Sequence, residues 1–353
     1  MDPLTHMLFG SVMSRAGLNR KTGLATAVLA ISAEFPDIDV VTSLAGPVAG
    51  FGNHRGITHT FIGAPFMAAA SLGIVYGFYR WMKKRGRDTK LPPNWKLLYA
   101  YALLGSLSHI LLDFTNNYGV RPLSPFLHRW YAWDIVYIIE PFLTGALLLA
   151  LLMPWFFGLI GGEVGARKTK FPGQGSAIAA LVFLALLWWA RDYNHRRAIA
   201  LLEAQKYEDQ DPIRISAAPY MGNPFRWLGT VETESAFFTA PVDTLANEVD
   251  PQRIGIVRYK PEETAATLAA KTSALGKVYL DWARHPYAEL IAPDRPGGDT
   301  TIRIRDLRYD YPELRERVAG EPGENDRTPL TMTVKLDPSM QVVEQRMGRH
   351  VEK

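Results

Sequence analysis

The stretch from Asn53 to Thr60, NHRGITHT, sets His54 and His59 five residues apart around Arg55 and Gly56, immediately before a long apolar run. A polar stretch of this kind reads plainly as a loop or helix start, and chemically as part of a metal site. Further on, SHILLDFTNNYG places His109 and Asp113 four residues apart in a helical run, so both side chains share one face, one turn from each other. Alone, that pair is either a ligand pair or a polar helix edge. A carboxylate inside a membrane span costs about 2.5 to 3.5 kcal/mol and usually marks function, so Asp113 requires a cationic partner. EFPDIDVV sets Asp37 and Asp39 one residue apart after a turn-forming proline, where two carboxylates bind one metal, bridge two, or cap a helix. His6, in MDPLTHMLFG, and Asp134, beyond Asp113, complete a candidate ligand set of His6, Asp37, Asp39, His54, His59, His109, Asp113 and Asp134.

Imidazole and carboxylate without thiolate suit zinc, manganese or iron. The set exceeds what one tetrahedral zinc needs, so the expectation is two or three divalent ions, zinc first and manganese second. Such ions lower the pKa of bound water toward 7 and clamp an anionic oxygen. Asp37 and Arg55 are the candidate catalytic residues. The planar fork of Arg55 either grips a phosphate or carboxylate or snorkels to lipid headgroups. Asn116 and Asp134 are further ligands or partners that orient the imidazoles, and Glu140, in an apolar run, either pairs with the site or is a costly oddity. Competing chemistry has no foothold: the chain has no GxSxG, no GxxxxGK[ST], no HExxH and no cysteine.

The elements that must position these residues show in the hydropathy. The chain has 353 residues, long enough for two folded units. Phe61 to Tyr79, Leu97 to Leu112, Ile135 to Ile160 and Gln174 to Ala190 are nearly free of charge and read as four full membrane spans. Leu4 to Met13 and Thr22 to Ala33 are too short to cross comfortably and read as tilted helices or thin spans. No cleaved signal peptide is evident at the start. Lys83, Lys84, Arg85, Arg87, Lys90 and Lys96 crowd one loop, and Arg167, Lys168 and Lys170 another; both read as cytoplasmic. That topology explains the net charge of +4 without nucleic acid, which is not an expected partner. It also gathers the candidate ligands into one layer at the outer face.

In their order, MDPLTHMLFG, PDID, HRGITHT and HILLDFTNNYG resemble the membrane-bound metal-dependent hydrolases named after YdjM and YbcI, over roughly residues 1 to 145. That family is distantly similar to zinc-dependent phospholipases C and P1-type nucleases, whose zinc sites use an early histidine, an aspartate, a histidine and a helical HxxxD. Here His6, Asp37 or Asp39, His59 or His54, and His109 with Asp113 follow that order. Those soluble enzymes also use a free amino-terminal residue and a second HxxxE or HxxxD; this chain departs on both, with Asp134 first among the residues that would replace the second pair.

The domain expectation is a membrane-embedded hydrolase domain over residues 1–191, a helical linker over 192–214, and a soluble α+β domain over 215–353 on the outer face. The fold class is mainly α, a polytopic membrane helical bundle with a phospholipase C/P1 nuclease-like core. Residues 229–242, 252–260, 288–293, 300–309 and 329–338 alternate like strands, and 261–284 read as one helix. The function expected is hydrolysis of a phosphodiester or phospholipid-like substrate by a multi-pass protein of the bacterial inner membrane, its site facing outward. The bilayer is its expected partner. The competing functions are a non-catalytic binding or regulatory protein and a metal transporter.

Overall fold

The computed structural model describes residues 1–163, 172–291, 298–311, 330–348 and 350–352. Two compact units emerge, one of Met1–Ile38 with Arg55–Asp192, the other of Asp39–His54 with Tyr193–Lys353.

In the first unit, α1 (Pro3–Arg15) begins where the Asp2 carboxylate accepts from the Thr5 amide and Pro3 supplies a preset first turn. It packs along α2 (Ala25–Glu34). Contact is close because Gly10 has no side chain; a Cβ there would lie 2.3 Å from the Leu29 carbonyl oxygen. The chain then passes through α3 (Pro47–Asn53), which belongs to the second unit, and returns for α4 (Gly63–Lys84) and α5 (Trp95–Thr115). Gly105 of α5 meets α2 in the same way, its would-be Cβ 2.0 Å from Ser32 Oγ. Small residues at such crossings let helix backbones approach in a membrane, where burial of apolar surface gives no drive.

Next come α6 (Pro141–Glu163) and α7 (Gln174–Glu203). One apolar cluster joins α1, the end of α5, α6 and α7 through Phe9, Val12, Leu112, Leu143 and Leu184. Another joins α2, α4 and α5 through Val28, Leu29, Ala68, Leu98 and Ala102.

Among the described residues α5, α6 and α7 are long and apolar enough to cross a membrane, whereas α4 meets that condition only as part of a bent pair with the segment before it. The expected four spans are therefore three outright and a fourth conditionally, because the Gly, Ala, Ser and Tyr residues of α4 dilute its hydropathy. Of the three, α5 is the most enclosed, 56% of its span being buried against 17% for α6 and 28% for α7. Helix α6 starts at Pro141 rather than near Ile135. The amides of Ile135 and Val136 are held at 3.0 and 3.2 Å by the Thr115 carbonyl, and the residue before a proline avoids helical geometry. That residue, Glu140, is buried in an ion pair with Arg191 of α7. The basic stretch at Arg167, Lys168 and Lys170 lies outside the described residues.

In the second unit the last turns of α7 bury Ala198 and Leu202 against Ala217, Trp227, Val231 and Val242. Strands β1 (Arg214–Pro219), β2 (Arg226–Glu232), β3 (Ala236–Asp243) and β4 (Glu248–Val249) lie side by side in chain order, with β5 (Ile256–Tyr259) also pairing β3. The region read as one helix over 261–284 is two, α8 (Ala265–Thr272) and α9 (Ala274–Trp282). Ser273 separates them, because its extended backbone ends α8 while its hydroxyl accepts from the Gly276 amide and caps α9. A second antiparallel sheet runs β6 (Pro286–Ile291), β7 (Thr300–Asp306), β8 (Thr331–Leu336), β9 (Val342–Met347) and β10 (His350–Glu352).

The packing at Gly105 gives a direct test. Gly105→Ala pushes a methyl into Ser32 and should destabilise the first unit by about 1 to 3 kcal/mol. Gly145→Ala, on α6 with nothing within 4 Å of its would-be Cβ, should leave the thermal midpoint in detergent unchanged.

Candidate metal centre

His109 and Asp113 stand one helical turn apart at the enclosed end of α5, and both are fully buried. Asp37 comes from the 3-10 segment Phe35–Ala45 that follows α2, and His59 from a single 3-10 turn just ahead of α4. Ligand-type atoms from all four lie within 4.8 Å of one another. His109 Nε2 is 2.9 Å from His59 Nε2. Both nitrogens are 3.4 Å from Asp113 Oδ2, and they lie 3.4 and 3.2 Å from Asp37 Oδ1.

The tautomer of His109 follows from its other nitrogen. Nδ1 is 2.6 Å from the Ala33 carbonyl, which only accepts, so Nδ1 carries the proton and Nε2 presents a lone pair. The lone pair faces a second imidazole nitrogen and two carboxylate oxygens. Asp113 Oδ2 is buried and has no hydrogen-bond partner among the described residues. A single proton shared by the two rings would leave that oxygen unmet, and two imidazoliums 2.9 Å apart would repel. A divalent cation satisfies all four acceptors at once, and the donor set of two imidazoles and two carboxylates fits it.

The other carboxylate oxygen, Asp113 Oδ1, is neutralised from the protein. Arg55 Nη2 donates to it at 2.9 Å and the Met1 amino group also donates to it. Arg55 is buried, with Nη1 donating to Asn116 Oδ1 and the Gly119 carbonyl at 3.2 and 2.9 Å and its guanidinium 4.6 Å from the centre of the Tyr118 ring. Snorkelling to lipid headgroups is therefore excluded for Arg55. His6 stacks on His109 with ring centres 3.8 Å apart, and its Nε2 lies 3.0 Å from the Met1 amino group and 3.4 Å from Asp113 Oδ1.

The remaining candidates are not among the four residues of that group. Asp39 and His54 lie in the second unit, bonded to each other at 3.3 Å. Contact grouping assigns residues 39–54 to the second unit, and the four-residue group includes neither Asp39 nor His54. Asp134 sits half-buried in the loop after α5, in a left-handed conformation, and is not part of the four-residue group. His128 is exposed beside Ser124. Glu140 serves Arg191.

Two groups escaped the sequence reading. One is the Met1 amino group, which meets Asp113 although the sequence reading expects a departure from an amino-terminal contact; the other is Glu34, the last residue of α2. Burial and then the Asp37 charge push the Glu34 carboxyl up to about 7, and its Oε2 is buried without a hydrogen-bond partner among the described residues. The available signal was its position three residues ahead of Asp37.

Protein purified in detergent without chelators should contain about one divalent ion per chain in this group. Elemental analysis of His109→Ala and Asp113→Ala should show that ion lost, with Asp134→Ala retaining it. Equal loss in Asp134→Ala would place the ion elsewhere.

Comparison with known proteins agrees on the membrane class. A protein of Bacillus subtilis strain 168 named as the uncharacterized protein YfhP is 28% identical over 166 residues, which cover 45% of this chain and 47% of the relative. The match thus spans about half the length of that relative. No solved structure matches the chain. The family described as YdjM inner membrane protein matches residues 1–198, more than half of the chain, and the protein belongs to that family.

Proposed function

We propose that the chain is a membrane-bound metal-dependent hydrolase acting on a phosphodiester or phospholipid-like bond. The observation that carries the reading is the convergence of His59 Nε2, His109 Nε2, Asp37 Oδ1 and the unpartnered Asp113 Oδ2. Asp37, His59, His109 and Asp113 would hold a divalent ion, zinc first and manganese second, which when bound would supply a water of lowered pKa and a Lewis acid for an anionic oxygen.

The chain's own groups divide the remaining work. Ala33 and Thr58 fix the imidazoles of His109 and His59 through their Nδ1 atoms at 2.6 and 2.9 Å. Arg55 holds Asp113 ionised and oriented, so it acts as a positioning residue rather than as the anion grip. A proton-transfer role for Glu34 is supported by its raised carboxyl and by a buried Oε2 without a hydrogen-bond partner among the described residues. A lipid-like substrate is supported by exposed apolar residues that flank the ligands in sequence: Leu4 and Met7 around His6, Ile57 and Phe61 around His59. The basic loop from Lys83 to Lys96 supports a cytoplasmic placement of that loop and an outward-facing site in the inner membrane. The likeness to phospholipase C and P1 nuclease rests on motif order alone.

A transporter would place its ligands near the bilayer midplane. Asp113 lies two residues from the end of α5, which favours chemistry at a boundary over passage through it.

Turnover decides between enzyme and binding protein. The wild type, supplied with zinc or manganese, should cleave at least one of a panel of chromogenic phosphodiesters and phospholipids. His59→Ala should abolish this with its metal, and Arg55→Lys should lower the rate roughly 10- to 100-fold without restoration by added metal, because an ammonium does not replace the fork. A metal-loaded wild type inert on phosphoesters, esters and amides alike would overturn the enzyme reading.

A further inference from the structure

The chain leaves the first unit after Ile38 and re-enters it at Arg55. Asp37 therefore sits two residues before the excursion, with Arg55 directly after it and His59 close behind. The excursion itself is built into the second unit. Helix α3 packs on α9, β9 and β10. The Phe51 ring stacks on Tyr279 with centres 5.7 Å apart and meets Trp282 edge-on at 5.3 Å, both partners being buried. Gly52 lies against Val278, where a Cβ would stand 3.3 Å from a methyl carbon. At the neck, the first and last residues of the segment join: Asp39 Oδ1 is 3.3 Å from His54 Nδ1.

We infer that residues 39–54 are a positioning device for the metal centre: Phe51, seated in the second unit, and the Asp39–His54 clasp together set the separation of Asp37 from Arg55 and His59. The inference rests on the metal-site reading above. His109 and Asp113 need no such device, because the pitch of α5 spaces them. Asp37 lies in the 3-10 segment Phe35–Ala45 and His59 in the 3-10 turn Ile57–His59, on opposite arms of the excursion, and without the clasp the junctions between these short elements would pay chain entropy to bring the two together. Asp39 and His54 then have a use that is not ligation, and the second unit has one that needs no chemistry of its own. Coupling of this kind is reciprocal, so an ion bound at Asp37 and His59 steadies α3 in return.

The test uses the full-length protein in detergent, stripped of metal and titrated with Zn2+ against a chromogenic chelator. Phe51→Ala, and separately Asp39→Asn with His54→Gln, should weaken Zn2+ binding roughly 10- to 100-fold, the range for partners that orient metal ligands. Phe51→Tyr, which keeps the ring, should restore it. Val242→Ala loosens the second unit's other apolar cluster without touching residues 39–54, and should leave affinity unchanged. Hydrogen exchange in 47–53 and 274–282 should slow when Zn2+ is added to the wild type but not to His109→Ala. Wild-type affinity in both the Phe51→Ala and the clasp variant, or equal losses in Phe51→Ala and Val242→Ala, would overturn the inference while leaving the metal site standing. A wild type that binds no Zn2+ would overturn both.

Discussion

A carboxylate with no exposed surface near the end of α5 sets what the rest of the first unit must supply. An uncompensated charge in such a place costs several kcal/mol, more than most single contacts return. Asp113 is met on one oxygen by Arg55 and the Met1 amino group, while the other lies 3.4 Å from two imidazole nitrogens without a hydrogen bond among the described residues. Arg55 reaches it from a left-handed backbone conformation, φ 52°, which costs a side-chain-bearing residue about 1 to 2 kcal/mol. The bonds to Asp113, Asn116 and Gly119 and the seat over Tyr118 hold the residue there.

Orientation of the ligands is a by-product of helix packing. The close crossing of α2 with α5 at Gly105 places the end of α2 beside His109, and the Ala33 carbonyl then selects the tautomer. The crossing of α1 with α2 at Gly10 brings His6 onto the His109 ring. Larger residues at either glycine would separate the backbones, and the ligand geometry would go with them. The loop after α5 completes the arrangement by folding back. Its Trp133 and Ile135 amides bond the Phe114 and Thr115 carbonyls that the helix end leaves open, while Asn116 and Gly119 face Arg55.

Sequence alone determined what depends on local periodicity. Length and hydropathy marked α5, α6 and α7 as spans, alternation marked most strands of the second unit, and four-residue spacing put His109 and Asp113 on one face. Each of these is a property of a few consecutive residues and of the pitch of a helix or the pleat of a strand. Tertiary structure decided what consecutive residues do not encode. Asp39 lies two residues from Asp37 and His54 one from Arg55, yet both group by contact with the second unit, where Phe51 of the same segment has its aromatic partners more than two hundred residues later at Tyr279 and Trp282. Arg55 looked the same in sequence whether it faced lipid or protein; only its buried bonds distinguish the two. Glu34 reads as an ordinary helix-end carboxylate until burial and the neighbouring Asp37 charge raise it. The surroundings that settle such a side chain's role are assembled from distant parts of the chain, and they exist only once the helices have packed.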